Sequence, residues 1–275
     1  MVLSLNTNIS SINSARLLNI TNNALARTTE RLSSGLRINS SADDPAGIFM
    51  AESLTSAIRG AQAANLNIQM SMSAAQVADA DLSNIYDVIQ RMRELAVQAN
   101  NSMNSAEEFV HLNAEFQALR SSLTQIASGS TFNGTALLDG TLTTISLQVG
   151  ATAAATQTFT FSDMGYTADD LSLGAAVVIT SKANAVTAIG NLDTALTDVA
   201  DGRSRLGAVI TSLEALQNAN EVSVVSNSEA RARVRDADVA LEVSNLVANQ
   251  IKQQAGAAAL SAANFSTQFV LQLLQ

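Results

Sequence analysis

A mainly α fold is predicted: a long antiparallel helical bundle or coiled coil formed by both chain ends, with a small β-hairpin insert. Three observations carry it. One column of residues steps by seven from Leu54 through Ala61, Ile68, Ala75, Leu82 and Ile89 to Ala96, and a second runs from Ala57 through Ala64, Ser71, Ala78, Ile85 and Met92 to Ala99. Such a stripe stays on one face only where a helix packs lengthwise on other helices. The chain has a single proline, Pro45, and only 4% aromatics, which argues against a dense core with many tight turns. The plan is also symmetric: weak helix, strong rod, β insert, strong rod, weak helix.

Residues 1–43 form the first weak helix. Leu18, Leu25 and Leu32 are seven apart, and Ile9 and Ile12 extend an apolar face upstream. Asn, Ser and Thr dominate between them and compete for the backbone, so the segment is marginal alone. Ser33-Ser34-Gly35 reads as its end, before an extended link to Asp44. The rod opens at Asp44-Pro45, an N-cap acceptor followed by a residue with no N–H to lose. Its length, at helical rise, is roughly 80 Å. Its seam is thin, because Ala and Ser bury far less than the roughly 1.5–3 kcal/mol of a Leu or Ile. Such a rod depends on neighbours.

Asn100-Asn101-Ser102 breaks the rod. Ser105 to Glu108 fits a capping box. The helix that follows carries Phe109, Leu112, Phe116, Leu119, Leu123 and Ile126, and the short connection turns it back antiparallel. From Gly129 to about Thr180 a β-rich insert of hairpins is expected: Ile145, Leu147 and Val149 alternate, then Phe159 and Phe161. Residues 151–155 read as an exposed tip. Helix returns near Lys182, with Ile189, Leu196 and Ile210 in one column and Leu192, Val199, Leu206 and Leu213 in another. Asn218 to Asn227 reads as polar loop, and Arg231, Arg233 and Arg235 lead into the last helix. That helix has Val239, Val243, Leu246, Val247, Ile251, Phe265, Phe269 and Leu273 on or near one side. No charge occurs from Gln253 to Gln275, so burial on all sides against other chains is expected.

Composition narrows the function. A net charge of −9 disfavours nucleic acid. No stretch is apolar enough to span a membrane, and the start lacks a signal-peptide pattern, so any export takes another route. There is no cysteine and one histidine, His111. A His- or Cys-based catalytic set has almost nothing to draw on, and His111 reads as a surface helical residue. No second histidine exists for a zinc motif. Asp79, Asp81 and Ser83 imitate the start of a calcium loop, but the turn glycine is absent and Gln90 stands where a bidentate Glu belongs. Gly202 and Gly207 lack the order of a phosphate loop. Arg231, Arg233 and Arg235 are offset by Glu229, Asp236 and Asp238, which suggests local ion pairing. No enzyme activity, cofactor or metal is expected.

Ordered sequence words at both ends resemble bacterial flagellin. They include Leu5-Asn6-Thr7-Asn8, Arg31 to Ser40, Asp43-Asp44-Pro45-Ala46-Gly47, Gln90 to Gln98 and Thr131-Phe132-Asn133-Gly134. At the other end they include Arg203 to Ala208, Ala255 to Ala259 and Val270 to Leu274. The likeness covers roughly residues 1–140 and 180–275. Pro45 stands where Ala is common, and Gln275 where Arg is common.

The resemblance implies a structural role: many copies polymerise into the filament that a rotary motor turns for swimming motility. Residues 1–44 and 231–275 would supply inner filament-core helices with connecting spokes, packed through Leu18, Leu25, Leu32, Val243, Leu246, Ile251, Phe265, Phe269 and Leu273. Residues 45–230 would form an outer α-helical rod domain containing the insert at about 129–180. The implied route is unfolded type III export to an extracellular filament. Implied partners are other copies, an export chaperone, the filament cap and hook–filament junction proteins. An animal Toll-like receptor for flagellin is a further implied partner, contacted at Gln90, Arg91, Leu95 and Glu115. The alternatives are a hook–filament junction protein, or a soluble helical-stalk binding module or adhesin.

Overall fold

A computed structural model describes residues 7–142, 144–160 and 165–273, with only the backbone for 159–160 and 266–273. Leu5, Asn6, Phe161, Leu274 and Gln275, and the side chains of Phe159, Phe269 and Leu273, lie outside the described residues. The elements run α1 (Ile9–Ser34), α2 (Pro45–Ala99), α3 (Ala106–Gly129), β1 (Thr131–Phe132), β2 (Thr135–Ala136), β3 (Thr144–Gln148), β4 (Thr156–Thr160), α4 (Lys182–Arg235) and α5 (Val239–Leu273). The chain divides into two compact units, residues 1–56 with 226–275 and residues 57–225.

Helix ends follow local chemistry. Asn8 accepts from the Ser11 N–H at 3.0 Å and caps α1. Gly35 ends that helix in the left-handed region, φ 70°, where a side chain is strained. Asp44 accepts from the N–H groups of Ala46 and Gly47 at 3.1 and 3.0 Å, opening α2 as its sequence predicts. The Ser105–Glu108 capping box is present in both directions.

In the middle unit, α2, α3 and α4 share one core. Leu82, Ile85, Ile89 and Met92 of α2 pack with Phe116 and Leu123 of α3 and Leu192, Val199 and Leu206 of α4. The small seam residues Ala75, Ala78, Ala96 and Ala99 are buried as well, and let the helices approach closely. Arg93 donates to Asp193 at 2.6 Å and Arg203 to Asp79 at 2.9 Å. Position rises on α4 as it falls on α2, so the two run antiparallel. These exposed pairs are worth about 0–1 kcal/mol each, so the core carries the stability.

The insert forms two antiparallel hairpins. Asn133 and Gly134, φ 50° and 78°, turn β1 into β2, the pairing that a two-residue turn with both φ positive favours. In β3, Ile145 and Leu147 face inward, and the alternation continues to buried Val149. Val149 joins Ile68 and Leu213 in a second cluster. Asn67 and Asn220 donate to the carbonyls of Gln148 and Val149 at 3.3 and 2.7 Å, tying β3 to α2 and α4. The tip beyond it is exposed from Ala151 to Ala154.

Three expectations change. Asn218–Asn227 is not a loop, because α4 runs unbroken to Arg235. Its polar side chains have partners on the helix surface: Asn220 holds β3, and Gln217 donates to Glu221 at 3.2 Å. Arg233 and Arg235 therefore sit in the last turn of α4, where cations favour the carbonyl end of a helix. Asp238 is used as the cap of α5, accepting from Ala240 and Leu241 N–H, rather than as a partner for that arginine run. The insert is also less β-rich than its sequence predicts. Residues 166–180 are irregular, yet Tyr166, Leu171, Leu173 and Ile179 lie in the core.

Candidate functional site

The terminal unit pairs α1 with α5. Five contacts fix their direction. Asn8 donates to the Ala263 carbonyl at 2.9 Å, and Ser11 to Asn264 at 2.8 Å. Gln253 donates to Asn22 at 2.8 Å, and Asn249 to Thr28 at 3.4 Å. Arg31 pairs with Glu242 at 3.4 Å. The helices are antiparallel, with contacts from near the start of α1 to its last turn.

The contact face is narrow and mixed, with leucines interleaved with polar and small residues. From α1 it uses Ser11, Ser14, Leu18, Thr21, Leu25, Thr28 and Leu32, each at least half-buried. These alternate steps of three and four, a seven-residue repeat. The matching α5 positions are Glu242, Leu246, Asn249, Gln253, Gly256, Leu260 and Ala263. Leu18 lies over Gly256; a Cβ built there would be 3.4 Å from the Leu18 Cδ1. Leu18, Leu25, Leu32 and Leu246 are therefore seam residues.

The more apolar faces point away from the seam. Ile9, Ile12, Leu17 and Ile20 of α1 are each more than half exposed. So are Val239, Ile251 and Phe265 of α5, with Val243 and Val247 at 42% and 49%. The sequence grouped Leu246 with these residues, but a turn of the helix separates them: Leu246 meets α1, while Val243, Ile251 and Phe265 do not. At the base of the pair the chain crossings meet. Arg37 N–H donates to the Arg235 carbonyl at 2.7 Å and Ala237 N–H to Gly35 at 2.9 Å, around a Leu36–Asp236 bridge.

The second group of sequence-predicted positions lies in the middle unit. Arg91 donates to Glu115 and Glu94, both at 2.9 Å, with all three side chains about half exposed or more. Hydrogen bonds that it donates to Glu115 first, then to Glu94, hold the Arg91 guanidinium above its usual pKa. Gln90 donates to the Tyr86 hydroxyl at 3.2 Å. Leu95 does not belong with this surface. It is 2% exposed and packs in the core, because it lies between Met92 and Ala99 on the buried seam of α2. His111 is exposed on α3. Among the described residues no three His, Cys, Asp or Glu side chains converge to hold a metal ion, and no helix is long and apolar enough to cross a membrane.

Comparison with known proteins agrees with this geometry. Residues 5–143 match the bacterial flagellin N-terminal helical region and residues 189–274 the C-terminal helical region. A flagellin of Halalkalibacterium halodurans is 38% identical over 98% of this chain and 99% of its own length. A flagellar filament 33 kDa core protein of Treponema phagedenis is 36% identical over the same shares. The crystal structure of Bacillus cereus flagellin superposes with a TM-score of 0.50 at 32% identity, covering 56% of this chain and 88% of that one. A putative flagellar hook-associated protein of Vibrio parahaemolyticus has a TM-score of 0.56 at 14% identity over 70% of this chain and all of its own, a likeness of fold alone. The chain belongs to the bacterial flagellin family, and it is a structural subunit of the flagellar filament rather than an enzyme.

Proposed function

We propose that residues 1–44 and 231–275 supply the inner filament-core helices, α1 and α5, with connecting spokes, and that 45–230 is the outer rod domain. One observation carries this: the terminal helices meet through a narrow seam of leucines interleaved with polar and small residues, and leave further apolar stripes in solvent. Burying a large aliphatic side chain is worth about 1.5–3 kcal/mol, so each stripe is a substantial unspent driving force for contact with further copies. In the isolated chain the pair has little core, and its ordering is coupled to assembly. The polymer is the extracellular filament that drives swimming, reached by unfolded type III export.

The α5 stripe around Val243, Ile251 and Phe265 is the surface an export chaperone would cover before assembly. The filament cap and the hook–filament junction proteins are the other expected partners. The Arg91–Glu115 pair is exposed enough to meet a Toll-like receptor, with Gln90 at its edge and Leu95 acting only as support from beneath. A reporter-cell assay comparing the parent with Arg91→Ala tests this: a parent monomer that gives no signal ends it.

Electron microscopy of purified chain after seeding tests the main proposal. Growth of filaments on seeds is expected. A hook–filament junction protein would not polymerise alone, and a helical-stalk binding module would stay monomeric and tolerate deletion of both ends.

A further inference from the structure

We infer that the Arg31–Glu242 ion pair is a face-selecting clasp: it makes α5 turn its polar side to α1 and so keeps the apolar stripe free. This rests on the proposal that the stripe serves contact with other copies. The argument starts from a choice that hydrophobicity alone decides the other way. Over its first half, helix α5 has a face with Val239, Val243, Val247 and Ile251, and another with Glu242, Leu246, Asn249 and Gln253, where leucine is the one large apolar side chain. A lone helix pair would gain more by burying the first. The chain buries the second.

The backbone crossing at Gly35–Arg37 and Arg235–Ala237 ends one residue before the Asp238 cap of α5, so the side chains just past it share in setting which face α5 presents. Arg31 and Glu242 form the ion pair between the two helices just past the crossing. Arg31 lies in the last turn of α1 and Glu242 in the first turn of α5. Among the described residues Glu242 is the only buried charged side chain, 7% exposed. Its partner sits at 3.4 Å, and its carboxylate lies at a helix N-terminus, which also favours negative charge. Turning the Val243 stripe inward would carry Glu242 away from Arg31 and break this pair. Arg31, whose side chain is 34% exposed, would then face apolar residues without its partner, which is unfavourable, whereas the pair itself adds little over apolar packing. Such a group therefore specifies geometry more than it stabilises, as a single polar residue does in a coiled-coil seam. Asn249–Thr28 and Gln253–Asn22 then follow in phase.

The native chain has no cysteine, so paired cysteines report the facing residues without background. A Cβ at position 256 would be 4.0 Å from the Leu18 Cβ, within disulfide range. Leu18→Cys/Gly256→Cys reports the observed face. Leu18→Cys/Ala258→Cys reports a rotated α5, since Ala258 is exposed. Each pair is placed in full-length chain and oxidised mildly after seeded assembly. Seeding of the cysteine-free parent is scored separately: its failure counts against assembly, whereas the ratio of the two closures in assembled chain reads the clasp. In the parent, the 18/256 pair is expected to close and the 18/258 pair not. Glu242→Leu is expected to raise closure of 18/258 relative to 18/256 at least tenfold, and the charge swap Arg31→Glu/Glu242→Arg to restore the parent pattern. Unchanged closure in Glu242→Leu overturns the clasp. So does a parent in which 18/256 never closes. Should Glu242→Leu yield no soluble chain, the swap decides: it must close 18/256 like the parent, and a swap no better than Glu242→Arg alone overturns the proposal.

Discussion

Single side chains in the middle unit are held to tight tolerances. A Cβ at Gly202 would come within 2.7 Å of the Tyr166 Cζ, and Tyr166 is buried. Gly202→Ala is expected to cost about 1–3 kcal/mol, as overpacking does, and to lower the thermal midpoint. Gly190 on the same helix faces open space. Gly190→Ala should stabilise by up to about 1 kcal/mol, because alanine holds a helix better. Equal effects from the two would remove the steric argument. Charge at a helix end gives a second test. Hydrogen bonds from Ser105, its backbone N–H first and then its hydroxyl, hold Glu108 below the usual glutamate pKa. A folded-state pKa lowered in this way adds stability above the unfolded value, and that stability is lost as pH falls through the folded one. Amide exchange in the first turn of α3 should therefore quicken below about pH 4. Glu108→Gln, which can still accept from Ser105, should abolish that acid dependence.

Whole elements show where pattern in the chain sufficed. The sevens of α2 were legible because period and burial coincide: Ile68, Leu82, Ile85 and Ile89 are all buried. Caps at Asp44 and Ser105 were legible because they are local. The stretch 218–227 of α4 was not, since Asn220, of a type that normally marks loops, here reaches out to the carbonyl of Val149 just past β3. Helix continuity across that stretch predicts that Val222→Pro, at an exposed site, costs about 3 kcal/mol. Circular dichroism and melting check it, and a neutral result would restore the loop. Asn220→Ala should cost about 1 kcal/mol and loosen β3, seen as faster exchange at Val149. Residues 166–180 were illegible for another reason. They are irregular, so buried Leu171 and Leu173 follow no period. On α5 the apolar stripe was legible, but not that the seam would use the other side, because that depends on a partner helix more than two hundred residues away.

At the scale of the molecule, charge is segregated. Residues 1–56 and 226–275 hold eight acidic and eight basic side chains, while residues 57–225 hold sixteen acidic and seven basic. The terminal unit is neutral and the middle unit carries the whole net charge of −9. Copies that approach repel through their middle units. Repulsion between exposed charges fades beyond a Debye length of about 10 Å at 0.1 M salt. Seeded elongation should therefore quicken between low and physiological ionic strength, followed by light scattering; a rate that falls instead would show that attractive pairs dominate. Protease applied to the unassembled chain should trim both ends and leave a core near 45–230. Resistance of the full-length chain would contradict ordering on assembly.

The tip between β3 and β4 gives the molecule a further property. Residues 151–154 are exposed, and Ala151 also lies against Gly60, where an added Cβ would be 2.7 Å from the Ala151 Cβ. Extra sequence can enter after Ala153 without meeting that contact, because exposed tips tolerate insertion. An epitope grafted there would be presented once per subunit at a fixed spacing. A fluorescent ligand for it would then act as a ruler, its brightness per unit length counting the protein copies in the polymer.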